Sequence, residues 1–310
     1  MIKINGLIAA TFSTYREDGS LDLEGISPLV NKLVNDGLKG IFICGTNGEG
    51  PNLTVEERMA VAERYVAVAK GKLLVFVHVG HTSIAESQKL ARHAEEIGAD
   101  AISAVAAFYF KPVSVENLTD SMAQIAAAAP NTPFYYYHIP ALTGVGMDMV
   151  QFLQLGEARI PTLAGIKYTA ATIYEYQACL AYGDGKFDVL YGYDELLLPA
   201  LAVGAKGAVG STYNFAAPLY IRVMELFSQG NIEEAQRTQL LLVKMVHEMA
   251  KFSPIPSQRA IMEILGYPLG HTRLPLVPLR LEEKEMLASR LEEIGFLTAL
   301  SDAKQTAQDI

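Results

Sequence analysis

Eight short apolar runs, separated by helix-like sequence, recur along this 310-residue chain. They span 7–11, 40–44, 73–79, 101–105, 134–137, 163–167, 188–191 and 207–210. Each is too short for a buried helix and reads as a buried strand. The segments between them carry helix starts. Thr54-Val55-Glu56-Glu57 reads as a capping box followed by periodic apolar residues to about 69. Ser83-Ile84-Ala85-Glu86 reads as a second, opening a helix to about 97, and a third helical stretch runs from 114 to 129 and stops at Pro130. Strand–helix alternation forces parallel pairing through crossovers. Eight such units in about 225 residues fit a closed (β/α)8 TIM barrel better than an open sheet, where four to six units are commoner. Half of the residues are hydrophobic, ample for a core of that size. The remaining chain shows no strand, and 231–252, 256–265 and 281–294 read as helices. The expected organisation is therefore a barrel domain over 1–228 and a C-terminal helical extension over 229–310.

A barrel brings the residues just past the C-terminal ends of its strands to one face. The second run leads into Gly45-Thr46-Asn47-Gly48-Glu49-Gly50, and the fourth into Phe108 and Tyr109. The fifth ends in Tyr135-Tyr136-Tyr137-His138-Ile139-Pro140, the sixth at Lys167 with Thr169 beyond it. The seventh leads to Gly192-Tyr193-Asp194-Glu195, and the eighth to Ser211-Thr212-Tyr213-Asn214. Lys167 is the most informative of these. At the end of a buried strand its ammonium either reaches solvent as a simple cap or enters a cavity. In a cavity its pKa falls, because desolvation disfavours the charged form, and a neutral amine attacks carbonyl carbon.

The glycine-rich turn is either a tight connection or an anion-binding concavity of backbone N–H groups aided by Thr46. Its spacing is not that of a phosphate-binding P-loop. Tyr135 and Tyr137 share one strand face and Tyr136 the other, and Tyr137 lies nearest the functional end. It is therefore the candidate proton shuttle. Asp194 and Glu195 fit two roles, a helix start or acceptors for sugar hydroxyls. His78 and His81 fit either metal ligation or hydrogen-bonded places at a barrel rim, and no third ligand with persuasive spacing accompanies them.

The charge balance narrows the function. Net charge is −9 and no Lys/Arg-rich run occurs, which argues against nucleic-acid binding. No apolar stretch reaches the length of a membrane span. Residues 1–14 lack the pattern of a signal peptide. Cys44 and Cys179 are the only cysteines, both in apolar surroundings, so reduced thiols and a cytoplasmic location are expected.

Gly45-Thr46-Asn47-Gly48-Glu49, Tyr137-His138-Ile139-Pro140, Gly165-Ile166-Lys167-Tyr168-Thr169 and Gly192-Tyr193-Asp194-Glu195 resemble the dihydrodipicolinate synthase/N-acetylneuraminate lyase family. Further segments resemble its lyase branch: His78-Val79-Gly80, Ala85-Glu86-Ser87-Gln88, the stretch from Tyr137 to Val145, and that from Gly207 to Asn214. The resemblance covers nearly the whole chain. It implies a homotetramer of barrels and a Schiff-base aldolase needing neither metal nor cofactor. The implied reaction is reversible cleavage of N-acetylneuraminate to N-acetyl-D-mannosamine and pyruvate. It further implies Lys167 as the Schiff-base lysine and Tyr137 as the acid/base phenol. Thr46 and Asn47 would then hold the pyruvate carboxylate, and Thr169, Gly192, Asp194, Glu195 and Ser211 the sugar portion. Tyr109 matches an aromatic near the site.

The chain departs from the family pattern at Asn47, which can donate to a carboxylate but has no hydroxyl to relay a proton. It departs again at Ala106-Ala107-Phe108, where a proline commonly precedes the aromatic. Leu142 stands where the synthase branch places an arginine facing a second carboxylate, which argues against condensation with aspartate semialdehyde.

Overall fold

A computed structural model describes residues 3–308. The outermost residues of the two expected spans, 1–2 and 309–310, lie outside the described residues. Eight strands form: β1 (Gly6–Ala10), β2 (Gly40–Ile43), β3 (Leu74–His78), β4 (Ala101–Val105), β5 (Phe134–His138), β6 (Leu163–Tyr168), β7 (Asp188–Tyr191) and β8 (Gly207–Gly210). They close in sequence order into one parallel barrel. All eight expected runs are strands. β5 and β6 continue one residue further than the apolar pattern does, because the ladder persists through His138↔Tyr168 and a Thr169 N–H bond to the His138 carbonyl (2.8 Å).

Strand alternation divides the core into two layers. Ile8, Phe42, Phe76, Tyr135, Tyr137 and Val209 pack together inside the barrel. Leu7, Ile41, Val77, Tyr136, Ile166 and Val189 join the larger layer between strands and helices. Tyr135 and Tyr137 thus share the inner face and Tyr136 the outer one. The closure is uneven. β8 pairs with β1 at four positions from Gly6↔Gly207 to Ala9↔Gly210, whereas β7 meets β8 only at Tyr191↔Ala208.

The helix from Val55 to Ala69 begins with the expected reciprocal box between Thr54 and Glu57. The helix from Ile84 to Glu96 does not. Ser83 accepts from Glu86 N–H (3.4 Å), but its own N–H goes to His81 Nδ1 (2.9 Å), so the return bond from Glu86 has no donor to meet. Beyond the barrel the chain forms helices Ile232–Met249, Pro254–Ile264, Leu281–Glu293 and Phe296–Gln308. The last is missing from the sequence reading. Among its described side chains Phe296 and Leu300, one turn apart, are buried, and Leu297, Ala299 and Ala303 pack beside them.

Candidate active site

Lys167 lies on the inner face of β6 and is only 4% exposed. Among the described residues its Nζ has no hydrogen-bond or ion-pair partner. It sits over two aromatic rings instead, 3.9 Å from the Tyr137 centroid and 4.0 Å from that of Phe42. Burial drives its pKa down to about 7, and the charge of Asp194 opposes that fall only in part. Near neutral pH a large share of this amine is therefore unprotonated, the form a carbonyl requires. The rate of carbonyl trapping at Lys167 should rise with pH through about 7 and then level off. A trapping rate independent of pH between 6 and 8 would contradict this electrostatic picture.

Tyr137 packs edge-on against Phe42 and His78, with centroids 5.4 and 6.0 Å apart. Burial pushes its phenol up to about 12, opposed by the neighbouring hydroxyls of Thr46 and Thr169. In the resting protein the phenol is protonated, with two hydroxyls beside it. Thr46 thus supplies the hydroxyl neighbour that Asn47 cannot. Asn47 itself is turned inward, its Nδ2 donating to the Ala10 carbonyl (2.9 Å) at the end of β1. One of its two amide donors is thereby held by the backbone, and its main-chain N–H stays in the turn.

The turn's main chain remains available. Cys44 (φ 56°) and Glu49 (φ 52°) stand at either end in the left-handed region. Among the described residues the N–H groups of Thr46, Asn47 and Gly48 donate to no protein acceptor. Gly50 closes the turn, where a Cβ would lie 2.0 Å from the Cys44 carbonyl oxygen. Three successive unused donors in one turn are what an anion site of this kind requires.

Asp194 and Ser211 lie across the mouth, past β7 and β8. Asp194 is buried, and its Oδ2 accepts from Thr212 N–H (2.8 Å), Thr212 Oγ1 (2.7 Å) and, at 3.5 Å, Ser211 Oγ. Its other oxygen is buried without a protein partner. Burial raises this carboxyl to about 6, with Glu195 adding to the rise and the Thr212 bonds and Lys167 opposing it. Asp194 and Glu195 stand in the first turn of the short 3-10 element Asp194–Leu196, as the helix-start reading expects, while the Asp194 carboxylate is turned to Thr212. Glu195 is half-buried, and its backbone carbonyl receives Gln239 Nε2 (3.2 Å). Thr169 is buried with an unpartnered hydroxyl. Gly192 lies so close to it that a Cβ there would stand 2.0 Å from Thr169 Oγ1.

A cavity of about 300 Å³ opens at the same end. Gly45, Thr46, Glu49, His78 and Tyr137 line its barrel side, and Leu142 and Thr143 its rim. Ile255, Pro275 and Leu276 bring the C-terminal extension into its wall. Lys167, Asp194 and Ser211 do not line it. Tyr137 belongs to both places, facing the cavity and touching the lysine. The loop after β4 lines it with Phe108, while Tyr109 is 78% exposed and packs edge-on against Phe110. Within one chain the aromatic of this loop that faces the cavity is therefore Phe108.

His78 is the last residue of β3 and lines the cavity at that end, hydrogen-bonded as the rim reading expects, and it belongs to no three-ligand cluster among the described residues. It is buried on the inner face of β3, with Arg58 Nη2 donating to its backbone carbonyl (2.5 Å). The Phe76–His78 alternation was enough to place it inside. Nothing in sequence spacing singled out Phe42 as a ring under Lys167, or brought in Ile255, Pro275 and Leu276, which are remote in the chain.

The Dihydrodipicolinate synthetase family profile matches residues 3–294. The chain belongs to that family. Among its members, an N-acetylneuraminate lyase (sialic acid aldolase) from Aliivibrio salmonicida has the same fold with a TM-score of 0.93, 42% identity, and 96% of this chain and 98% of that one covered. The human N-acetylneuraminate lyase is 40% identical over 301 residues, 96% of this chain and 94% of its own. A sialic acid aldolase of Ruminococcus gnavus, solved as a catalytic lysine mutant, is 30% identical with a TM-score of 0.89, covering 98% of this chain and 99% of its own.

Proposed function

We propose that this dihydrodipicolinate synthetase family member is a Schiff-base aldolase that reversibly cleaves N-acetylneuraminate to N-acetyl-D-mannosamine and pyruvate. One observation carries the reading: a buried, unpaired, substantially neutral amine at Lys167, in contact with the ring of Tyr137. The similarity to lyases on both sequence and structure supports the choice of substrate.

In this mechanism the Lys167 amine attacks C2 of the open-chain keto acid, and water leaves as the imine forms. The protonated imine is an electron sink. Tyr137 takes the proton from the C4 hydroxyl, directly or through the substrate carboxylate, and the C3–C4 bond breaks. N-acetylmannosamine leaves, the enamine is protonated at C3, and hydrolysis frees pyruvate and the amine. The carboxylate sits on the N–H groups of the Thr46–Gly48 turn. The sugar hydroxyls meet Asp194, whose free oxygen is an unused acceptor, together with Glu195, Thr169, Ser211 and the main chain at Gly192, where no side chain would fit beside Thr169. Among the described residues no helix is long and apolar enough to cross a membrane. The free, buried Cys44 and Cys179 favour a cytoplasmic setting. The exposed Tyr109, Phe110 and Val113 favour assembly with further copies, in keeping with a homotetramer.

Substrate choice tests the reading. Cleavage of N-acetylneuraminate should far outrun condensation of pyruvate with aspartate semialdehyde. Leu142, at the cavity rim, offers no cation to a second carboxylate. A buried acceptor left without a hydroxyl costs about 1–3 kcal/mol, so short aldehydes should bind poorly beside Asp194. Comparable kcat/KM for both reactions would overturn the sugar-side assignment.

A further inference from the structure

We propose that Arg259, on the helix Pro254–Ile264 outside the barrel, is a positioning residue for the carboxylate-binding turn and acts through Glu49. This rests on the reading of that turn as the seat of the pyruvate carboxylate. Glu49 closes the turn, its side chain fully buried and its backbone left-handed. A glycine would adopt that conformation without strain. The sequence keeps a glutamate there, and its carboxylate accounts for the choice. Its Oε1 receives both Nη2 (2.9 Å) and Nε (3.2 Å) of Arg259, and its Oε2 receives the N–H of Arg273 (3.3 Å). Two further donors of Arg259 hold the carbonyls of Ser13 (2.6 Å) and Leu269 (3.0 Å). The Ser13 hydroxyl in turn donates to the Gly48 carbonyl (2.7 Å). One guanidinium therefore joins the chain just past β1, the glycine-rich turn and the C-terminal extension.

Two consequences follow for a ligand. First, Glu49 also lines the cavity, and its negative charge beside an anion site would repel a carboxylate. Arg259 offsets that charge at contact distance. Second, the fork fixes the strained end of the turn, so that the N–H groups of Thr46, Asn47 and Gly48 converge. A buried ion pair is weak evidence for a stabilising role. Its value here is geometric: it sets where three donors point.

The test separates carboxylate binding from amine chemistry. Wild type and variants are incubated with increasing pyruvate, or with acetone, which has the ketone but no carboxylate. Borohydride then traps the imine, and mass spectrometry reads the adduct at Lys167. For Arg259→Gln, the pyruvate concentration giving half-maximal trapping should rise by roughly ten- to a hundred-fold, with an unchanged plateau. Acetone trapping should match wild type. Arg259→Lys keeps the charge and should give a smaller rise in the same direction, which also serves if the glutamine variant does not fold. Equal loss with both ketones, or an unchanged pyruvate response in a folded variant, would overturn the proposal. If wild type traps neither ketone at Lys167, the Schiff-base reading itself is what has failed.

Discussion

Replacing Lys167 with methionine should abolish turnover while leaving the protein folded and more stable. The loss of the covalent route removes the nucleophile outright, an effect on the order of 10⁴–10⁶-fold in kcat. The stability gain comes from the same cause as the reactivity. In the unfolded chain a lysine binds its proton below about 10.4, whereas in the fold Lys167 does so only below about 7. As pH falls from the first value to the second, the unfolded chain takes up a proton that the folded one does not, so stability declines over that window. Methionine fills a similar volume with nothing to protonate, and it should remove this slope. The checks are a thermal-melting series between pH 6 and 10 and an activity assay. A variant that retains turnover, or that melts well below wild type at pH 7, would falsify the view of Lys167 as a buried reactive amine.

Tyr137→Phe should divide the reaction in two. The ring stays, with its contacts to Phe42 and His78, so the pocket around Lys167 keeps its shape. Only the hydroxyl goes. Imine formation should survive and C–C cleavage should slow by about 10²–10⁴-fold, the usual contribution of a positioned acid or base. The phenol, held at about 12, is a poor base at rest. The iminium that forms on Lys167 brings a positive charge against the same ring and favours the phenolate at the moment it is needed. An adduct at Lys167 should therefore accumulate in this variant during incubation with substrate. Near-normal kcat would assign the proton transfer to another group, such as the substrate carboxylate.

The barrel was legible because each strand is buried on both faces and reads as an unbroken apolar run between helix starts. The chemistry at the strand ends was legible for the same reason: a polar residue at the end of such a run has one face to go to. Lys167 and Tyr137 fall in that class. Asn47 and Tyr109 do not, because a loop residue's direction depends on local dihedrals that leave no periodic trace. Asn47 is turned onto Ala10 and Tyr109 outward. Arg259 was beyond reach altogether. Its partner Glu49 lies 210 residues away, and only tertiary packing joins them.

The single ladder contact between β7 and β8 gives Asp194 a second duty. Where the backbone of those strands barely pairs, its carboxylate reaches across and holds Thr212 through both the amide and the hydroxyl. Selection on this chain for a new sugar acid therefore faces unequal terrain. On the proposed sugar-side reading, a change at Asp194 alters the acceptor offered to substrate and unfastens the barrel together, so it needs a compensating change nearby. Glu195, half-exposed and tied only through its backbone, and Leu142, at the rim, are free to vary alone. Drift in specificity should begin at those two positions and reach Asp194 last.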